Sequence, residues 1–418
     1  VKKLLISTLL AIVIILSAAA SLAPPARATD LTVAREGGYR TIHEAVNAAN
    51  PGDTITVSPG TFAENVLVDK PLTIRSSSGA SLTTIEAAVP AKDVFLLTGT
   101  DIRIEGFTIV GKMGSSGVKL DHASRCVISN NIIYNNIRAV YLYAATDSDV
   151  SDNNVSNNGY GVYLDGSSDN TVLNNVALYE RGMPDGSALG DGIFMNRSPH
   201  NIIAQNVLSN NRMFGISLWD SAENTIQNNT ISANGRFGIR LRSSSNNTLI
   251  FNTIRATTQD GIYIGYSWGN KICLNNFMNN PNNINNPQGN IVDSPQQLAY
   301  TYNGRDYVGH MGNYYSDYRG TDRNGNGIGD TVYPIGDGHP LVKPVEQYGT
   351  IRDESGSTSV AAVSNVSTAH NSSQQSDPQN GTKVTTLGLE AEYAILGVAI
   401  AASIAAIAFF VLKRNRLE

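Results

Sequence analysis

Gly117-Val-Lys-Leu120, Ala139-Val-Tyr-Leu142, Gly161-Val-Tyr-Leu164, Gly192-Ile-Phe-Met195, Gly215-Ile-Ser-Leu218, Gly238-Ile-Arg-Leu241 and Gly261-Ile-Tyr-Ile264 superimpose without a gap. Their first residues fall at 117, 139, 161, 192, 215, 238 and 261, so the steps are 22, 22, 31, 23, 23 and 23. A period that constant marks stacked structural units. In every segment the second and fourth residues are aliphatic while the third varies, which is the two-residue alternation of a strand with one buried face. Two further short apolar pairs follow in each repeat, such as Thr225-Ile226 and Thr230-Ile231. Three strands and three turns per repeat describe one coil of a parallel β-helix. Apolar spacing of three and four over ten residues is absent, and the Gly and Asn density opposes helices.

Asn131, Asn154, Asn175, Asn206, Asn229, Asn252 and Asn275 or Asn276 recur at one bend of successive coils. Asn tolerates the left-handed backbone of a tight bend, and stacked amides can hydrogen-bond from coil to coil as a ladder. Looser strands at Asp53–Val57, Lys70–Ile74, Val94–Leu97 and Ile102–Ile109 extend the stack upstream to roughly ten coils, on the order of 50 Å long. Thr41-Ile-His-Glu44 has the form of a capping box, so a short amphipathic helix with Ile42, Ala45, Val46 and Ala49 on one face is expected to cover the open end.

The expected domain order is a signal peptide over 1–28, the β-helix over 29–292, a closing module over 293–350, a stalk over 351–388 and an anchor over 389–418. Lys2-Lys3, the apolar run Leu4–Leu16 and Ala26-Arg-Ala28 have the layout of a cleaved secretory signal. Tyr393–Leu412 carries no charge, long enough to span a bilayer, and Lys413, Arg414 and Arg416 place the tail on the cytoplasmic side. The Ser-, Thr-, Asn- and Gln-rich stretch between rod and anchor reads as a solvated tether. Sequons at Asn365, Asn371 and Asn380 suit an external glycoprotein, whereas the one at Asn154 is expected to be masked by the ladder. The net charge of −5 shows no basic stripe, so nucleic acid is not an expected partner. Cys126 and Cys273 lie about six coils apart, too far for a disulfide, and are expected to be free packed thiols.

Three columns on one wall gather chemistry. The third residues of the segments are Lys119, Tyr141, Tyr163, Phe194, Ser217, Arg240 and Tyr263, and the fifth include Asp121, Tyr143, Asp165, Asn196, Trp219 and Arg242. Those just before include Arg138, Tyr160, Asp191, Phe214, Phe237 and Asp260. The 31-residue step inserts about eight residues within 179–187, beside this wall. Aromatic faces stack on sugar rings and guanidiniums pair with uronic carboxylates. Tyr141, Tyr143, Tyr163, Phe194, Trp219, Arg242 and Tyr263 are therefore candidate polysaccharide-binding residues. The alternative is coil-to-coil ring packing. A lyase, hydrolase or epimerase on the same wall would draw on Asp165, Asp191, Asp260, Arg240 and Arg242.

Asp322-Arg-Asn-Gly-Asn-Gly-Ile-Gly-Asp330 spaces Asp322, Asn324, Asn326, the Ile328 carbonyl and Asp330 like the front of a calcium loop. Tyr333 stands where a bidentate Glu belongs, so Asp317 or Asp337 would have to supply the missing oxygen.

Thr41–Val46, Pro51-Gly-Asp-Thr54, Val57–Phe62 and Asp69–Ile74 resemble the opening of pectinesterase-like β-helices. The repeats, Gly312-Asn-Tyr-Tyr-Ser-Asp-Tyr318 and Gly327–Asp330 with Tyr333-Pro-Ile335 resemble the NosD-like family and its archaeal cell-surface relatives, over about residues 31–348. The resemblance implies a right-handed helix. It also implies a copper accessory role beside a membrane transporter. Copper calls for imidazole or soft ligands, yet His43, His122, His200, His310, His339 and His370 are scattered, with His310-Met311 the single adjacent pair.

Overall fold

A computed structural model describes residues 28–353 apart from 184 and 187. The expected signal peptide, save its last residue, and nearly all of the stalk and the membrane span fall outside these residues. Among the described residues no helix is long and apolar enough to cross a membrane.

Three parallel sheets of eleven, ten and eleven strands wind into a right-handed solenoid of about eleven turns, against the roughly ten read from sequence. The quoted segments form one face in the expected register: Val118 opposes Val140, then Val162, Ile193, Ile216, Ile239 and Ile262 follow in line. These residues are fully buried in a single core running the length of the stack. The leading glycines have a steric cause. A Cβ on Gly215 would lie 2.4 Å from Ile231 Cγ2 and 2.8 Å from the Gly238 carbonyl oxygen, although Ala139 is accommodated at the equivalent place.

The helix Ile42–Ala48 is present, with the Thr41 hydroxyl accepting the Glu44 N–H and with Ile42, Ala45 and Val46 buried against the first strands. At the far end Leu298–Tyr302, Arg305–Gly309 and Gly349–Asp353 make a small antiparallel sheet around a second core that includes Tyr300, Tyr302, Met311 and Tyr348.

The asparagine ladder runs through Asn131, Asn153, Asn175, Asn206, Asn229, Asn252, Asn275 and Asn313. The sequence assignment of Asn154 to it was one residue off: Asn154 opens a strand and is exposed, so its sequon is not masked. The left-handed backbone also belongs to the preceding position, where Asn130, Asp152, Asn174, Gln205, Asn228, Phe251 and Leu274 have φ between 55 and 58°. The ladder residues serve as connectors. Asn206 Oδ1 accepts both the backbone and side-chain N–H of Asn175, and its own Nδ2 donates to the Val172 carbonyl and to Asn229. Each such residue satisfies buried polar groups on three coils. Two more ladders run beside it, through Asn136, Asn158, Glu180, Asn211 and Asn234 and through Ser148, Asn170, Asn201, Asn224, Asn247, Asn270 and Asn290.

Candidate functional site

The wall keeps its register, with Lys119, Tyr141, Tyr163, Phe194, Ser217, Arg240 and Tyr263 in one column and Asp121, Tyr143, Asp165, Asn196, Trp219, Arg242 and Gly265 in the next. Its middle is not open to solvent. Ser217 and Asp191 are fully buried, and Phe214, Phe194, Tyr160 and Phe237 nearly so. Part of the cover is the inserted loop. Met183, Ala188 and Leu189 pack on Tyr160, Phe194 and Tyr163, and the Met183 N–H closes the loop on the Ala188 carbonyl. The expectation that these columns face water therefore fails at the centre, where Met183, Ala188 and Leu189 bring apolar groups onto Tyr160 and Phe194.

What remains accessible is a strip of half-buried rings with cations over them. Tyr141 lies 5.2 Å from Tyr163 and 5.9 Å from Tyr143, and the Arg138 guanidinium sits 4.5 Å above the Tyr141 ring. Farther along, the half-buried Tyr263 stacks at 4.8 Å on the buried Phe237, which lies 5.3 Å from Phe214 beneath the strip. Arg242 lies 4.2 Å and Arg240 5.7 Å from Trp219. Among the described residues neither Arg240 nor Arg242 forms a salt bridge. Two aromatic residues that the column reading missed are more exposed than any of these, Tyr266 at 77% and Trp268 at 59%. They follow Gly265, just past the third column, and the signal was their place in the turn that ends the same strand.

Two of the three carboxylates are held by neighbouring side chains. Asp165 accepts from Arg197 and Asn196 at 2.9 Å and from the Tyr141 hydroxyl at 3.4 Å. Asp260 accepts from the side-chain amides of Asn282 and Asn285. Asp191 takes the Phe214 N–H at 3.3 Å on one oxygen, while its other oxygen, like the Ser217 hydroxyl, is buried without a hydrogen-bond partner. Burial pushes the Asp191 carboxyl up to about 8, only partly opposed by the Phe214 N–H and the Arg240 charge. It is thus largely neutral at pH 7. Glu180, standing in for Asn in a ladder at the base of the same loop, is likewise raised by burial to about 8.

The 322–330 segment folds as nested side-chain-capped turns. Asp322 accepts the Asn326 and Gly327 N–H groups, Asn326 accepts that of Ile328, and Asp330 accepts the Arg323 N–H and the Thr321 hydroxyl. The Asn324 side-chain oxygen also accepts the Asn326 N–H. Tyr300, Tyr307 and Tyr348 donate their hydroxyls to the Asn326, Gly325 and Gly327 carbonyls. Both residues considered for the twelfth position are engaged elsewhere. Asp317 is held by the Tyr333 hydroxyl, and Asp337 is buried beneath Asn313, Tyr315 and His339. The hydrogen bonds of the segment are those of a turn, and they give the calcium reading no support of their own. Asp322→Ala should therefore lower stability by about 1–3 kcal/mol through the orphaned Gly327 N–H, the Asn326 N–H keeping the Asn324 oxygen. Thermal melts should show the same loss in chelator as in millimolar calcium; a loss confined to calcium would restore the metal reading.

A family model described as periplasmic copper-binding protein (NosD) matches residues 46–183 and 185–320. The chain belongs to the NosD family. A curated relative of this NosD-family chain, a cell surface glycoprotein of Methanothermus fervidus, is 32% identical over 130 residues, 31% of this chain and 21% of that protein. The chain thus spans about a fifth of that relative's length. Among solved structures, a protein of Geobacillus virus E2 gives a TM-score of 0.53 at 16% identity, covering 60% of this chain and 56% of its own. A pectate lyase gives 0.44 at 14% identity, over 69% and 74%. A periplasmic alginate epimerase gives 0.41 at 16% identity, over 57% and 71%. These likenesses concern the fold.

Copper calls for imidazole or soft donors brought together. Among the described residues no group of three or more His, Cys, Asp or Glu side chains is gathered to hold a metal. Cys126 and Cys273 are free and buried, with burial pushing their thiols up to about 11 and 12, so neither offers a thiolate. One pair does meet: His310 and His339, scattered in sequence, have ring centres 5.2 Å apart.

Proposed function

We propose that this chain is exported and displayed at the cell surface, where the Tyr141–Arg242 strip binds a polysaccharide or cell-envelope glycan. The observation that carries this is Trp219 with two guanidiniums over its ring, neither of them paired with a carboxylate among the described residues, in line with the Tyr141, Tyr143 and Tyr163 rings. Such a platform offers a ring face and a fork for an acidic sugar at one place. The relative named a cell surface glycoprotein supports the location. So do the sequence-level signal, stalk and anchor, with the tail cytoplasmic and the rod outside. Binding is favoured over catalysis because Asp165 and Asp260 are held by neighbouring side chains and Asp191 is enclosed.

A glycan panel tests the proposal. Trp219→Ala should weaken a bound acidic glycan by about 1–3 kcal/mol with the solenoid still folded, the range for truncating an interface aromatic, and Arg242→Ala should add to the loss. Affinity that ignores Trp219, Arg242, Tyr266 and Trp268 alike would reduce the strip to sheet packing.

A further inference from the structure

We infer that the N-terminal end of the glycan strip is a reactive site, where His122 removes the C5 proton of a 4-linked uronate and the sugar chain is cut by β-elimination. The inference rests on the strip binding an acidic glycan. The carboxylates of the strip are engaged or enclosed, but one imidazole beside them is not. His122 Nδ1 lies 2.6 Å from Asp121 Oδ1, and the side chain is 69% exposed. A carboxylate only accepts, so Nδ1 carries the proton and Nε2 presents a lone pair when the ring is neutral. Among the described residues Nε2 has no hydrogen-bond partner. An imidazole oriented through its remote nitrogen, with the other nitrogen open, is the form a general base takes.

The turn that carries His122 gives it a recess to face. His122, Ala144, Gly166 and Arg197 are equivalent residues of four successive coils, all left-handed with φ between 48 and 61°. Their N–H groups donate in order to the carbonyls of Tyr143, Asp165, Asn196 and Trp219, which locks the column onto the strip. The two middle residues are small, and a Cβ on Gly166 would meet nothing within 4 Å. Arg197 closes the far end by reaching back one coil to Asp165 at 2.9 Å. With coils rising about 4.8 Å each, the notch between imidazole and guanidinium is about two coils long. Tyr143 forms its side: His122 meets that ring edge-on at 5.3 Å, and Lys119 Nζ lies 5.3 Å from the same ring while bonded to Asp121 at 2.7 Å. Asp121 thus holds both the base and a cation.

Elimination from a uronate needs a cation on the carboxylate, a base for the C5 proton and an acid for the departing oxygen. Arg197, engaged by Asp165 through Nη2 alone, supplies the first. His122 Nε2 supplies the second and the Tyr143 hydroxyl the third. The C5–H bond breaks and its proton goes to Nε2, while its electron pair forms the C4=C5 double bond. The C4–O bond breaks, and the departing oxygen takes the Tyr143 proton. The imidazolium then returns a proton to the phenolate through solvent, so nothing else is consumed. A neutral glycan lacks the carboxyl group that makes its C5 proton removable, and it would be bound without being cut.

The test is incubation of the full chain with alginate, polygalacturonate and a glucuronate polymer, reading the ultraviolet absorbance of the new double bond and, separately, affinity by calorimetry. The wild type should generate unsaturated ends on at least one of them. His122→Gln and Tyr143→Phe should each lower kcat at least about a hundredfold and leave KM within about threefold. Asp121→Asn removes orientation, not the base, and should lower kcat about tenfold with KM unchanged. Trp219→Ala should raise KM and spare kcat, and His200→Ala should change neither. Polymer bound without any unsaturated product would overturn the elimination and leave the glycan reading standing. Product formed equally by the wild type and His122→Gln would overturn it too. Failure of every polymer to bind would remove both readings. Circular dichroism confirms that the variants keep the solenoid.

Discussion

Asn206→Ala should destabilise the solenoid by about 3–5 kcal/mol, while Asn154→Ala, in the coil two below, should change stability by less than about 0.5 kcal/mol. The first removes the acceptor for the Asn175 backbone and side-chain N–H groups and the donor to the Val172 carbonyl, all within 3.1 Å and buried. Each buried polar group left unpaired costs about 1–3 kcal/mol. The second truncates an exposed side chain at the start of a strand, and surface changes of that kind rarely matter. Urea midpoints of the two variants decide the matter, and equal small shifts would mean that the amide ladder contributes little beyond turn geometry.

Glu180→Gln should make the protein more stable at high pH and leave it unchanged at low pH. Burial raises the folded-state pKa of Glu180 from 4.5 to about 8. An acid whose pKa is raised on folding binds its proton more tightly in the folded state. The wild type is therefore undisturbed below about pH 4, loses stability as pH rises from about 4 to 8, and carries the full cost above 8. At about 1.36 kcal/mol per pH unit, that cost is on the order of 3–5 kcal/mol, and Gln removes it while keeping an acceptor for the Asn158 N–H. Asp191, raised by burial to about 8, should add a second contribution of the same sign, released by Asp191→Asn. Denaturation midpoints between pH 4.5 and 9 should diverge steadily between wild type and Glu180→Gln. Parallel profiles would mean that water reaches the carboxyl and that it titrates normally.

Much of the fold was legible because burial in a solenoid repeats with the chain. The alternation in Gly215-Ile-Ser-Leu218 and its equivalents gave the core positions and the register of one whole face. The ladder slip was avoidable. Asn131, Asn153, Asn175, Asn206, Asn229, Asn252 and Asn275 each lie 14 residues after the start of their segment, and the Asn153-Asn154 and Asn275-Asn276 doublets hid it. The site was harder. That Tyr160 and Phe194 are enclosed depends on where an aperiodic insertion folds, and no period carries that information. His310 and His339 are brought together by a closing module outside the repeat, through Ser294 and Asp293, so nothing in their sequence spacing announced them.

The amide ladder has a direction. Every Oδ1 receives from the coil before it, so each rung presents the same acceptor to the chain below and the same donors to the chain above. A rung can therefore be duplicated or deleted whole without leaving any interior hydrogen bond broken, which makes the length of the molecule an adjustable quantity. Only the final acceptor cannot be copied: Asn313 donates its N–H to the buried carboxylate of Asp337, where the series stops. Growth of such a protein over generations would thus proceed by inserting rungs in the middle while inheriting its terminus unchanged.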